Sequence, residues 1–154
     1  MMAPMRLSIL AVLFVFMSLP ALAADTVNVD EDGVILGGFD PVAYFTAGKP
    51  VEGKSRYSHS WNGAVYRFAS AENLEAFKGA PEKYAPAYGG FCSYGVRVGK
   101  KLAIDPAAWE VVDGRLFVQL DRGTRTLWLE ERDKNIAIGD RIWPSILSTP
   151  KDKL

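Results

Sequence analysis

The chain has 154 residues, 49% of them hydrophobic, with 18 basic and 18 acidic side chains, one Cys and one His. A chain of this length makes one domain that buries enough core to fold without staples, and a lone Cys excludes an internal disulfide. Zero net charge argues against nucleic acid and anionic lipid as partners, and the few soft ligands exclude a closed structural zinc site.

The N-terminus reads as an export leader. Arg6 is its only charge, Leu7 to Met17 is an apolar run too short to span a bilayer, Pro20 breaks it, and Ala21-Leu22-Ala23 suits a signal peptidase. Cleavage after Ala23 is expected, giving a leader over 1–23, a domain over 24–148 and a frayed tail over 149–154, in a periplasmic or secreted protein. No later run is apolar and long enough to span a bilayer, so no stable membrane insertion is expected after cleavage. All four Met (Met1, Met2, Met5, Met17) fall in the leader, so the mature chain keeps one thiol, Cys92, and one imidazole, His59.

Asn28-x-Asp30-x-Asp32-Gly33 has the start of a calcium loop but Phe39 where the closing Glu belongs, so it reads as a polar turn before a short strand at Val34 to Leu36. Asp40-Pro41 is a cap followed by proline at the first helical position, predicting a helix over Pro41 to Ala47. Arg56 to Trp61 and Ala64 to Phe68 flank Asn62-Gly63, a hairpin signal. Ser70 caps a helix to about Lys78 with Leu74 and Phe77 inward, and Pro81 to Tyr84 is a further turn or short helix. Gly89-Gly90 is a hinge or close-packing point before a helix over Phe91 to Val98 that Gly99 stops.

Asp105-Pro106 repeats the cap-plus-proline pattern and predicts a helix start before Trp109. Asp113-Gly114 joins Val111-Val112 to Leu116–Leu120 as a second hairpin. Leu127, Trp128, Ile136 and Ile138 among charges suggest one amphipathic helix over Thr124 to Ile138, with Pro144 ending or kinking the last helix. No internal repeat, P-loop or dinucleotide fingerprint is visible, so no nucleotide cofactor is expected. The pattern is α+β: a small antiparallel sheet of hairpins packed with short helices and a C-terminal helix.

The blocks Gly38 to Phe45, Trp61 to Ser70, Pro81 to Pro86 and Tyr88 to Cys92, in this order, resemble the exported single-domain form of the YHS domain, over about residues 33 to 147. In relatives fused to copper-transporting ATPases the resemblance implies a metal site with three thiols, whose positions here are Ala43, Ala69 and Asn73. The copper role therefore does not carry over residue by residue, whereas the capped helix, the hairpin and the Ser70 helix do.

Two residues are candidates for chemistry. Cys92 reads as a buried small hydrophobe beside Phe91, Tyr94 and the Phe68–Phe77 cluster, or as a thiol activated at a helix N-terminus after Gly89-Gly90. His59 shares a strand face with Tyr57 and Trp61, and with Cys92 would form the minimal nucleophile–base pair or the only metal ligands available. Tyr44, Tyr66, Tyr88 and Tyr94 are either core or the lining of an aromatic pocket. The expected function is an exported binding or accessory protein, more a binder than an enzyme, holding a metal ion or small cofactor weakly or at a homodimer or periplasmic-partner interface. A thiol-redox protein using Cys92 and a structural adaptor are the alternatives.

Overall fold

A computed structural model describes residues 25–154, so the expected leader and its cleavage point fall outside the described residues. The described residues form two separate antiparallel hairpins and six α-helices, which is the expected α+β class with two hairpins in place of one sheet. The first hairpin pairs β1 (Lys54–Trp61) with β2 (Ala64–Phe68); the second pairs β3 (Asp105–Val112) with β4 (Arg115–Gln119). Both turns have the left-handed φ values that Asn-Gly and Asp-Gly supply: 47° and 83° at Asn62-Gly63, 49° and 75° at Asp113-Gly114.

Helix α1 (Pro41–Thr46) starts where expected because the Asp40 carboxylate takes the Val42 and Ala43 N–H groups and Pro41 needs no acceptor. The Ser70 hydroxyl caps α2 (Ala71–Gly79) through Asn73 N, and α3 (Pro81–Tyr84) follows. α4 is shorter than expected, Ser93–Arg97, because Phe91 is extended and Cys92 is its cap.

Four expectations change. Val34 and Ile35 form isolated bridges, and Leu36–Gly38 is a 3-10 turn rather than strand. Asp105-Pro106 opens β3, not a helix. The Asp105 carboxylate accepts from Ala107 N in a local turn, and a register shift between Asp105 and Trp109 seats Pro106 where the ladder asks for no donor. The helix expected over 124–138 is two, α5 (Arg122–Glu130) and α6 (Arg132–Ile146), broken at Glu131, and Pro144 lies inside α6. The tail forms a 3-10 turn at Lys151–Lys153. Lys101, 5% exposed, donates to the carbonyls of Leu147 and Thr149, and Lys151 N donates to Asp25.

The core divides in two. Ile35, Val42, Tyr44, Tyr66, Phe68 and Phe77 gather under the first hairpin, while Tyr88, Phe91, Val96, Phe117, Trp128 and Ile146 gather under the second. Tyr88 joins α6 to the second cluster, its hydroxyl donating to Asp140 at 2.8 Å, and a Cβ at Gly139 would sit 2.6 Å from that hydroxyl. Only glycine fits there. Among the described residues no helix is long and apolar enough to cross a membrane.

Candidate functional site

The seam between the two half-cores opens into a cleft of ≈ 530 Å³. The first hairpin supplies Trp61, Asn62 and Tyr66, the second supplies Gly114 and Arg115, and α6 supplies Trp143. Glu82 and Lys83 of α3 stand at its edge, and Thr26 and Val27 form a wall held by Asn28, whose N–H donates to the Gly89 carbonyl at 2.8 Å. Gly89 is required there, since a Cβ would lie 2.2 Å from the Thr26 carbonyl oxygen.

Tyr66 is a largely buried side chain of this cleft. Its ring packs on Phe77 at 4.5 Å and Trp61 at 6.3 Å, it is 2% exposed, and its hydroxyl makes no hydrogen bond among the described residues. Burial pushes its ionisation well above the usual phenol range. Arg115 lies over the Phe117 ring at 4.8 Å and grips Asp140 with two N–H groups at 3.0 and 2.8 Å. The hydrogen bond from Arg115 holds the Asp140 carboxyl below the ordinary range, against the opposing effect of burial, with Tyr88 adding a second donor. The Lys83 ammonium rests 5.0 Å over the Tyr84 ring and is in no ion pair among the described residues.

Of the four tyrosines read from the sequence, only Tyr66 lines this cleft. Tyr44 is buried with its hydroxyl on the Pro106 carbonyl at 2.9 Å and its ring edge-on to Trp109. Tyr88 is committed to Asp140, and Tyr94 sits beneath Arg97. Alternation put aromatic residues on inward faces but could not say which of the two cores each enters.

Cys92 is fully buried. Its neighbours differ from those expected: Phe68 and Phe77 belong to the first cluster, whereas the Cys92 sulfur accepts from Gly95 N at 3.4 Å and Leu120 N at 3.2 Å and lies 3.5 Å from Gln119 Oε1. Burial raises the thiol pKa, and the Gly95, Leu120 and Tyr94 N–H groups only partly oppose it. His59 is half-buried on the outer hairpin, edge-on to Phe77 at 6.3 Å. No hydrogen bond joins it to Cys92, so the structure does not assemble the dyad.

A metal centre does not fit the positions that the resemblance implies. Ala43, Ala69 and Asn73 all converge on the fully buried Asp40 carboxylate, but through N–H groups: Ala43 N at 3.4 Å, Ala69 N at 2.8 Å and Asn73 Nδ2 at 2.7 Å, beside Val42 N at 2.8 Å. Four donors surround the oxygens a cation would need, and no thiolate is near. Among the described residues no three His, Cys, Asp or Glu side chains are grouped to hold a metal ion.

Fold and cleft together define a small α+β domain with a single-chain aromatic recess. Residues 42–88 match the YHS domain, so the chain contains a YHS domain there. That span runs from α1 through the first hairpin to Tyr88, and is shorter than the 33 to 147 over which the sequence resemblance reads. It marks a small domain of a class in which metal association is a candidate role, without a specific function. No curated protein and no solved structure matches the chain significantly.

Proposed function

We propose that the protein is an exported accessory protein that binds a small planar organic molecule carrying an acidic group, in the cleft between its two hairpins. The observation that carries this reading is the ≈ 530 Å³ recess itself, with indole walls at Trp61 and Trp143 and the partnerless Tyr66 hydroxyl inside. Ligand sites are concave, mostly apolar, of roughly 300–1,000 Å³, and hold a few convergent polar groups. Lys83, in no ion pair among the described residues, favours an anionic substituent, and the aromatic faces favour a flat body. Export is supported by Arg6, the Leu7 to Met17 run and Ala21-Leu22-Ala23. The reading needs neither Cys92 nor His59.

The test is a fluorescence titration of the mature protein with anilinonaphthalene sulfonate and with neutral phenylnaphthylamine. Both should saturate and quench tryptophan emission, and Trp143→Ala should abolish binding. Tyr66→Phe should weaken both by roughly 2–10-fold, the worth of one hydrogen bond. The sulfonate should lead by about fivefold, a lead that Lys83→Ala removes. Binding of neither probe, or binding indifferent to all three substitutions, overturns the proposal.

A further inference from the structure

No repeat is visible in the sequence, yet the second half of the fold retraces the first at a fixed offset. β1, β2 and α2 begin at Lys54, Ala64 and Ala71, while β3, β4 and α5 begin at Asp105, Arg115 and Arg122. Each of these is 51 residues on from its counterpart, and the paired elements have equal lengths of 8, 5 and 9 residues. Each long strand breaks register at the same place, after Lys54 and after Asp105. Each following helix is capped by a side chain at the same step, Ser70 on Asn73 N and Asp121 on Thr124 N.

The correspondence extends upstream. Leu36, Gly37 and Gly38 have φ of 58°, 61° and 83°; Tyr88, Gly89 and Gly90 have 55°, 61° and 79°. Three successive left-handed residues, the first not glycine, are rare enough that chance does not account for two such runs. The parallel bridge Val34↔Val65 has its counterpart in Pro86↔Leu116, and the bond from Asp40 N to the Val51 carbonyl has one in Cys92 N to Leu102. The offset is 52 before the short helices and 51 after them, because α4 is one residue shorter than α1.

We infer that the chain holds two copies of one YHS-type unit, about residues 34–79 and 86–130, and that Cys92 is the counterpart of Asp40. The family match at 42–88 takes in 42–79 of the first copy and reaches the start of the second. The cleft then lies at the junction of two related units, with a turn from each at its edge. The equivalence extends to two of the hydrogen bonds. Asp40 accepts from Ala43 N and Ala69 N; Cys92 Sγ accepts from their counterparts Gly95 N and Leu120 N. Val42 N goes to Asp40, whereas its counterpart Tyr94 N goes to Gln119 Oε1, because a single sulfur replaces two oxygens. Gln119 is fully buried and its Nε2 has no partner. Cys92 is therefore a positioning residue that ties α4 to the β4–α5 junction.

The equivalence makes an unusual substitution tolerable. An Asp at a fully buried core position ordinarily unfolds a protein. Here Cys92→Asp would meet the N–H groups of Gly95 and Leu120, and a turn of the Gln119 amide, whose Nε2 has no partner, would swap Oε1 for a donor and release Tyr94 N to the new carboxylate. Thermal unfolding of the mature protein should place Cys92→Asp within about 5 °C of wild type and above Cys92→Leu, which leaves those donors unmet. Unfolded Cys92→Asp beside a stable Cys92→Leu would overturn the equivalence. Should both variants fail to fold, superposition of the two segments in a wild-type crystal structure decides: the backbones coincide at the 51–52 offset, or the inference is wrong.

Discussion

Replacing Asp40 by Ala tests how the first unit is held together. Asp40 is fully buried and accepts four hydrogen bonds, three of them at 2.7 to 2.8 Å and one, from Ala43 N, weaker at 3.4 Å. They tie three places into one node: the first turn of α1, the end of β2 and the side chain of Asn73 on α2. Removing the carboxylate orphans these donors, of which Val42 N and Ala43 N are buried and Ala69 N and Asn73 Nδ2 part-buried. Each well-formed bond to a buried donor costs about 1–3 kcal/mol when lost, so Asp40→Ala should cost about 3–6 kcal/mol, a large part of a typical stability of roughly 5–15 kcal/mol. Asp40→Asn keeps one oxygen but sets an amide N–H against a donor. Asn73 can turn its own amide to answer it, so that variant should lose about 1–3 kcal/mol. Urea unfolding followed by circular dichroism measures both, and an unchanged m-value shows that the end states are the same. A loss under about 1 kcal/mol for Asp40→Ala would refute the argument that this node is fully used.

Cys92 in native protein should resist iodoacetamide at neutral pH and react once urea unfolds the chain, because burial raises its pKa; fast native labelling would contradict that. The raised folded-state pKa values of Cys92 and of Tyr44, Tyr66 and Tyr88 also set a sign. Their contribution is fully present below the unfolded values of 9.0 and 10.0 and is lost as pH rises past them, so Tm should hold near neutrality and fall above about pH 9. Gly139→Ala should lower stability by about 1–3 kcal/mol by driving a methyl into Tyr88, and Gly139→Ala with Tyr88→Phe should recover part of it, read by urea unfolding. Calorimetric titration of the monomer with zinc or copper should give a dissociation constant looser than about micromolar, and stoichiometric nanomolar binding would show a ligand set that Asp40 and Cys92 do not suggest.

Local chemistry explains which elements were legible. The Asp40 and Ser70 caps and the Asn62-Gly63 and Asp113-Gly114 turns fold as their own residues demand, so those elements read correctly. Asp105-Pro106 carries the same cap signal as Asp40-Pro41, but pairing with β4 overrides it. The break at Glu131 was hidden because helical sequence lies on both sides of it and neither Pro nor Gly marks it, although the charged run Glu130 to Lys134 weakens the apolar period there. Burial of Cys92 was legible from its apolar flanks, whereas its hydrogen-bond partners Gln119 and Leu120 lie nearly thirty positions away. The cleft was illegible for the same reason, since its walls come from Thr26 to Leu147. The repeat escaped because few residues are the same at matching steps, Gly37-Gly38-Phe39 with Gly89-Gly90-Phe91, Gly48-Lys49 with Gly99-Lys100 and Gly63 with Gly114, while the backbone keeps the whole pattern.

The most direct measurement is an amide and indole NMR map of the mature protein titrated with anilinonaphthalene sulfonate. Binding in the cleft predicts saturable shifts at the Trp61 and Trp143 indoles and at the amides of Thr26, Gly89 and Gly114, with Ser58, Asp121 and Thr124 unmoved. Shifts centred on Cys92 or His59 with a silent cleft, or none that saturate, would contradict the account.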